Sequence, residues 1–348
     1  MSARADAIRR ASPQLIALAL LLLVNWIIFP PFFNVSLVDG RLTGSVIDVL
    51  NRAAPVALLA LGMAGVIATR GIDLSVGAVM AIAGAVAASL VDSGYPWYIA
   101  VLCALGAGLM GGLWNGFLVA LLGIQPIVAT LILMVAGRGI AQLITSGQIT
   151  TFTDPTLAAL GSGALLGIPI PMLIAAGVAG LLIALTRLTA LGLFIEAIGT
   201  NPRASYLVGI KTRALLLLVY ATSGLTAAIA GVVVTADIRG ADANNAGLWL
   251  ELDAILAVVL GGASLLGGRL LFVMTLVGAI TLQALKTGIL LAGFPPEFNL
   301  VVMAMVVSML LVVQAPAVNE WWRSRAGQFS GKPIPVGNRG ASEPEGNP

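Results

Sequence analysis

The stretch SGYPWYIAVLCALGAGLMGGLWNGFLVALLGIQPIVATLILMVAG, residues 93 to 137, contains no charged side chain. A membrane-spanning helix needs about 20 mostly apolar residues, so this stretch is long enough for two spans. Gly and Pro in LLGIQP, residues 121 to 126, interrupt helices and mark the turn between the two. The sequence therefore predicts an all-α membrane protein that crosses the bilayer repeatedly.

The composition of the whole chain agrees with this prediction. Its 348 residues are 59% hydrophobic and 9% charged, whereas a soluble domain has about 25% charged residues. The chain has no histidine and one cysteine, Cys103, which argues against histidine-based catalysis, disulfides and Cys/His metal sites. We therefore predict no catalytic site and no metal site in this chain.

Ten membrane spans are predicted from the apolar stretches between charges and turn signals. The span near 250–263 is short, which indicates a partial or broken helix. The ten lie near residues 13–33, 48–69, 73–91, 96–121, 125–145, 169–187, 214–236, 250–263, 270–291 and 298–314.

The basic residues predict the orientation of these spans. With the N-terminus inside, most of the 18 Lys and Arg residues fall on cytoplasmic segments, as the positive-inside rule requires. Because they report orientation, the net charge of +3 does not indicate a nucleic-acid partner. The predicted order is a cytoplasmic N-terminus (1–12), a transmembrane domain (13–314) and a cytoplasmic tail (315–348), disordered from about residue 327.

Two glycine-rich turns, TRGIDLSVG at 69–77 and GGASLLGGRL at 261–270, each contain one arginine. Spans two to five and seven to ten would run in opposite senses, which permits an inverted repeat. Arg70 and Asp73 are predicted at the cytoplasmic boundary, with Asp73 capping the third span; gating or a contact with another subunit is the alternative. Glu251 and Asp253 are predicted to cap the short eighth span or to take part in gating.

A polar cytoplasmic segment, LTALGLFIEAIGTNPRASYLVGIKTR at 188–213, separates the sixth and seventh spans. Asn201 as cap and Pro202 at the first helical position predict a short helix that ends at Gly209. Two interpretations are open: a basic loop that sets the topology, or a helix that docks onto another protein.

The same segment resembles the coupling loop of ATP-binding-cassette importer permeases. In that family the loop lies in a groove of the ATPase subunit and transmits its closure to the membrane helices. The coupling residues that the resemblance implies are Glu196, Ala197, Gly199, Asn201, Arg203, Ala204 and Gly209.

The resemblance extends from about residue 45 to 314. GIDLSVGAVMAIAGA and ELDAILAVVLGGASLLGG are similar to signatures of the monosaccharide permease branch. NRAAPVALLALGM, QPIVATLILMVAGRGIAQLITSGQI, VTADIRGADANNAGLWLELDAILAVV and GFPPEFN resemble the galactofuranose permeases within it. The implied substrate is a monosaccharide, specifically galactofuranose. Arg70 departs from the pattern, since these permeases usually have a small residue there.

The resemblance also implies partners. They are an ATPase subunit that binds ATP and Mg, a second permease subunit (identical or homologous) and a periplasmic sugar-binding protein, at the bacterial inner membrane. No glycine-rich phosphate loop ending in Gly-Lys-Ser/Thr occurs in this chain, so ATP is expected to be hydrolysed on the partner.

A sugar path needs amides, hydroxyls and a few charges. The candidates on spans four and five are Asn115, Gln125, Thr130, Arg138 and Gln142. Arg138 either satisfies backbone carbonyls between helices or contacts substrate or a gate. The polar loop 237–253 either receives the binding protein or simply connects two spans.

Rival functions are an ion-coupled carrier, an ATP-driven permease for another sugar or for branched-chain amino acids, and an intramembrane enzyme. An ion-coupled carrier needs carboxylates at membrane depth, and the long spans contain no central one. No catalytic constellation is visible in the sequence.

Overall fold

The computed structural model describes residues 3–308, except 39, 296, 299, 303, 306 and 307. It divides into two units, Met1–Pro296 and Glu297–Pro348. In the second unit, the Leu300 amide donates to the Glu297 carbonyl at 3.2 Å, as expected for a helical turn. Most of the predicted tenth span, 298–314, and the predicted disordered tail lie outside the described residues.

The first unit is helical, with three short antiparallel strand pairs, β1–β2, β3–β6 and β4–β5. The helices are α1 (Ala3–Ile28), α2 (Ser45–Ala68), α3 (Val76–Asp92), α4 (Trp97–Ala120), α5 (Pro126–Ile144), α6 (Pro155–Ser162), α7 (Ile170–Leu188), α8 (Leu191–Thr200), α9 (Pro202–Leu207), α10 (Thr212–Ile238), α11 (Leu250–Leu260) and α12 (Phe272–Leu291). The strands are β1 (Ser36–Val38), β2 (Arg41–Thr43), β3 (Thr150–Thr151), β4 (Ala164–Leu165), β5 (Ile168–Pro169) and β6 (Gly240–Ala241).

Every span predicted between residues 13 and 291 coincides with a helix, so the all-α membrane architecture is confirmed. By length and composition, six described helices can cross a membrane: α2, α4, α5, α7, α10 and α12. Shorter apolar helices lie at Pro13–Ile28, Val76–Asp92 and Leu191–Thr200. The first span ends before its predicted limit, because Pro30 and Pro31 start a separate 3-10 turn.

Helices α2 and α10 form the centre of the first unit and pack against each other. Gly62 of α2 allows this close approach, because a Cβ there would overlap the Thr226 side chain of α10. Gly224 of α10 allows a similar approach to α4, because a Cβ there would overlap the Gly108 carbonyl. Small residues at helix contacts are the usual solution in membranes, where backbones must approach closely to gain van der Waals contact.

The helices around this pair are arranged symmetrically. Helices α3 and α4 pack on α10, while α11 and α12 pack on α2. Helix α3 also packs on α4, just as α11 packs on α12. The corresponding helices of the two predicted halves thus exchange partners, an arrangement that an inverted repeat permits.

Helices α3 and α11 are the two short members of this arrangement. The 11 residues of α11 extend about 17 Å, well under the ~30 Å hydrocarbon thickness, so α11 is a partial span as predicted. The start of α3 meets the loop before α11: a Cβ at Gly77 would overlap the Gly247 carbonyl, and Gly247 has φ +70°. The two N-terminal ends therefore lie against each other inside the unit.

Candidate functional site

Asp73 is the centre of a buried polar cluster in the turn before α3 (residues 69–75, the α3 turn). It is 1% exposed. Its Oδ1 accepts hydrogen bonds from the Ser75 amide at 3.0 Å and the Ser75 hydroxyl at 2.7 Å. Its Oδ2 accepts from the Ser223 hydroxyl on α10 at 2.7 Å. The Asn115 side-chain amide also donates to Oδ1, at 3.4 Å. Four donors therefore compensate this carboxylate for the loss of water.

The predicted capping role of Asp73 needs correction, while its place at the cytoplasmic boundary stays a prediction. Helix α3 begins at Val76 with Ser75 as its N-cap, and no side chain caps its first turn. Ser223 is 11 residues from the first residue of α10, Thr212, and 15 from the last, Ile238. The carboxylate therefore lies beside the middle of α10, about 16 Å from its start. It organises the α3 turn instead of capping α3.

Two predicted path residues belong to the same cluster. The Asn115 amide donates to the Ser75 hydroxyl at 2.7 Å. The Thr130 hydroxyl accepts from the Leu74 amide at 3.2 Å. Both side chains are fully buried. They join the α3 turn to α4 and α5, and their contact with substrate stays a prediction.

Arg138 and Gln142 hold the loop before α11 (residues 239–249, the α11 loop). The Arg138 guanidinium donates to the Ala246 carbonyl, and the Gln142 amide donates to the Asn244 side chain at 2.9 Å. Arg138 therefore satisfies a backbone carbonyl, one of its two predicted roles. Gln125 is exposed at the start of α5 and is not joined to these contacts.

Glu251 and Asp253 lie in the first turn of α11, as predicted, but the N-cap is Trp249, with no side-chain capping bond. Both carboxylates are buried. Asp253 pairs with Lys286 of α12 at 2.5 Å. The predicted cap is therefore wrong for Asp253, whose carboxylate is neutralised by a cation from the neighbouring helix.

In the coupling segment (residues 188–213), the predicted short helix is confirmed as α9. The Asn201 side chain accepts from the Ala204 amide at 3.0 Å, and Pro202 is the first helical residue. Gly209 follows with φ +87°, a conformation that glycine adopts with little strain. Arg203 and Ala204 are exposed on this helix, while Ala197 is half-buried on α8.

Helix α8 is tied to both glycine-rich turns. Glu196 Oε1 accepts from the Leu270 amide, 2.9 Å away, in the turn before α12 (residues 261–271, the α12 turn). The Arg70 guanidinium donates to the Thr200 carbonyl at 2.6 Å. A Cβ at Gly199 would overlap the Ala68 carbonyl. Three predicted residues, Arg70, Glu196 and Gly199, are thus brought together around α8.

Helix α9 continues into an exposed apolar surface. Tyr206, Leu207 and Val208 are 68%, 77% and 77% exposed. Arg203 is exposed on the same short helix. A basic, apolar surface next to a tethered helix is typical of a protein contact.

A cavity of about 280 Å³, lined by polar and apolar side chains, lies between the first half of α2 and the last turns of α10 (the α2 cavity). Its polar lining residues are Asn51, Arg52, Asp237, Gln283 and Lys286. The sequence places Lys286 as a charge inside the predicted span 270–291, but no pattern groups it with the other four. Their grouping depends on the packing of α2, α10 and α12, which no local pattern reveals. Ser75 and Ser223 were missed for the same reason.

No group of three or more His, Cys, Asp or Glu side chains within the described part of the chain could hold a metal ion. The described residues therefore form helix α8 hydrogen-bonded to the α3 and α12 turns, and a separate cavity beside α2.

Comparisons with known proteins agree with the family resemblance. The family model described as branched-chain amino acid transport system / permease component matches residues 45–313. The galactofuranose transporter permease protein YtfT of Escherichia coli (strain K12) is 63% identical over 303 residues, which cover 87% of this chain and 89% of that protein.

Two further relatives are also sugar permeases by name. The fructose import permease protein FruF of Bifidobacterium longum (strain NCC 2705) is 43% identical over 284 residues, covering 80% of each chain. The ribose import permease protein RbsC of Escherichia coli (strain K12) is 37% identical over 304 residues, covering 86% of this chain and 92% of the relative. No solved structure matches this chain. The chain is therefore a multi-pass membrane permease that belongs to the branched-chain amino acid transport system / permease component family.

Proposed function

We propose that this chain is the membrane-embedded permease subunit of an ATP-binding-cassette importer for a monosaccharide, and that the sugar is galactofuranose. The names of the three relatives support sugar import. The 63% identity to the galactofuranose permease favours that sugar over fructose or ribose.

The observation on which the proposal depends is the connection of the coupling segment to the α3 and α12 turns. The partner ATPase, which binds ATP and Mg, docks on the exposed surface of α9. Because Glu196 and the Thr200 carbonyl bind these turns, a displacement of α8 moves the start of α3 and the end of α11 together. The permease breaks no bond and supplies a path that opens alternately to the two sides.

The remaining partners follow from the same assignment. A second permease subunit, identical or homologous, completes the membrane part, and a periplasmic sugar-binding protein delivers the sugar at the α11 loop. The coupling segment and both termini face the cytoplasm of a bacterial inner membrane. The contact of Gly77 with Gly247 keeps the centre of the subunit closed. Arg138 and Gln142 hold the α11 loop, which acts as the gate.

Reconstitution with the ATPase and the binding protein tests this proposal. Proteoliposomes that hold ATP inside, with the binding protein and radiolabelled galactofuranose outside, should accumulate the sugar, and accumulation should stop when ATP hydrolysis is abolished. Uptake that persists without the ATPase would instead support the ion-coupled carrier. Uptake of leucine in place of the sugar would support the amino-acid permease.

A matched glycine pair tests the coupling step. Gly199→Ala should reduce sugar uptake at least tenfold relative to ATP hydrolysis, because the new Cβ overlaps the Ala68 carbonyl. Gly177→Ala, where a Cβ meets nothing within 4 Å, should leave both rates unchanged. Equal behaviour of the two variants would argue against transmission through α8.

A further inference from the structure

We propose that the α2 cavity is a binding site for one neutral sugar molecule inside a single permease subunit. This inference rests on the proposed function and identifies where that function holds its substrate. The cavity is separate from the path residues that the sequence indicates on spans four and five, none of which lines it.

The size of the α2 cavity suits a monosaccharide. Its volume is about 280 Å³, just below the ~300 Å³ lower end of pockets that hold drug-sized ligands. The cavity is bounded where α6 meets α10: a Cβ at Gly161 would overlap the Asp237 amide. This close approach leaves no gap between the two helices at that wall.

The polar lining suits hydroxyl groups. Asn51 Oδ1 is buried and has no hydrogen-bond donor among the described residues. An unpaired buried acceptor is costly, and a sugar hydroxyl would satisfy it. Gln283 adds a second amide, whose Nε2 lies 3.5 Å from the Thr287 hydroxyl, at the limit of hydrogen-bond distance. An amide supplies both a donor and an acceptor, as a hydroxyl requires.

The charges around the α2 cavity balance, which favours a neutral ligand. Lys286 is paired with Asp253 at 2.5 Å. Arg52 and Asp237 interact electrostatically, and both are exposed, so they lie at the rim. Two cations face two carboxylates, and no excess positive charge remains to attract a sugar phosphate.

Apolar groups line the rest of the cavity. Pro55 and Val56 on α2 and Val233 and Val234 on α10 provide surface for the C–H faces of a sugar ring. Leu250, the first residue of α11, also lines the cavity. Sugar binding therefore contacts the short helix whose Asp253 is bonded to Lys286 in the same wall.

Two cavity variants and their controls test this site. Val234→Phe fills the cavity, and Gln283→Glu keeps the side-chain size while unbalancing the charge. The controls are Val135→Phe, at a position on α5 that is 66% exposed, and Gln148→Glu, at an exposed position outside the cavity. Equilibrium binding of radiolabelled galactofuranose is measured on the permease–ATPase complex without the binding protein, with uptake and ATP hydrolysis by the complete importer alongside.

Both cavity variants should bind the sugar at least tenfold more weakly and transport it more slowly, whereas the controls stay within twofold of wild type. Galactose 1-phosphate should not compete with galactofuranose. The proposed site would be overturned if both cavity variants bound the sugar as tightly as the wild type, or if the wild-type complex did not bind it. Either result would be compatible with ATP-driven uptake by the importer. Failure of the wild-type importer to take up the sugar at all would instead overturn the proposed function. Retained ATP hydrolysis shows that each variant is folded and assembled.

Discussion

Helices α3 and α11 both begin inside the first unit, yet their N-terminal ends are built differently. The carboxylate of Asp73 before α3 is held by hydroxyl and amide donors from Ser75 and Ser223. The carboxylate of Asp253 in α11 is held by a cation, Lys286. Both solutions avoid an uncompensated buried charge, which would cost several kcal/mol.

The two ways of holding a carboxylate indicate different roles for the N-terminal ends of α3 and α11. At α3 the donors come from the turn itself, from the central helix α10 and from α4. At α11 the cation also lines the α2 cavity, where a ligand can approach it. The start of α3 is therefore held within a hydrogen-bonded cluster, while the start of α11 lies beside the α2 cavity.

Removing the cation should have the largest effect. Lys286→Met leaves Asp253 buried and unpaired, and we expect a loss of about 3–5 kcal/mol in the free energy of unfolding. The double variant Lys286→Met/Asp253→Asn should recover most of this loss, because no charge remains unpaired. Thermal unfolding in detergent measures both. A double variant as unstable as the single one would contradict the ion-pair interpretation.

At the Asp73 cluster before α3, the free energy of unfolding should depend more on the shape of the side chain at position 73 than on its charge. Asp73→Ala leaves the donors of Ser75 and Ser223 without their acceptor and should cost about 2–3 kcal/mol. Asp73→Asn keeps an oxygen for Ser75 and should cost about 1 kcal/mol. The free energies of unfolding of Asp73→Ala and Asp73→Asn, measured with urea or by heating, distinguish these two expectations. Normal expression and stability of Asp73→Asn with a large loss of uptake would show that the charge itself is needed for transport.

Arg138→Ala should release the α11 loop, since the guanidinium bond to Ala246 is lost. We expect a stability loss of about 1.5 kcal/mol and a fall in uptake that exceeds the fall in the amount of protein in the membrane. Gln142→Ala, which removes a neutral bond to the same loop, serves as the control. Equal losses of uptake and protein would reject a transport role for Arg138.

Arg70 should give the smallest effect, because its side chain is exposed. Arg70→Ala loses the bond to Thr200 and should cost about 1 kcal/mol or less. Arg70→Gly loses the same bond but relieves the left-handed backbone of this residue, at φ +66°. We therefore expect it to be about 0.5 kcal/mol more stable than Arg70→Ala. Uptake by the two variants should be equally reduced if the bond to Thr200 transmits motion.

Local patterns predicted most of the architecture and the coupling segment. The cap at Asn201 and the positive φ of Gly209 depend on residues within a few positions, so the sequence indicates them directly. The role of Asp73 was predicted less well. Its position before α3 suggested a cap, but its partner Ser223 lies 150 residues away, and no local rule reports such a distance.

The sequence by itself determined that this chain is an all-α membrane permease with a short helix, α9, between two of its spans, because apolar length, turn residues and family motifs are properties of consecutive residues. Only the tertiary structure decided which polar groups meet. The Asp73 cluster, the ion pair of Asp253 with Lys286 and the α2 cavity each form between residues far apart in the chain. Their geometry follows from how closely glycine-containing helices approach one another, which packing determines and sequence spacing does not.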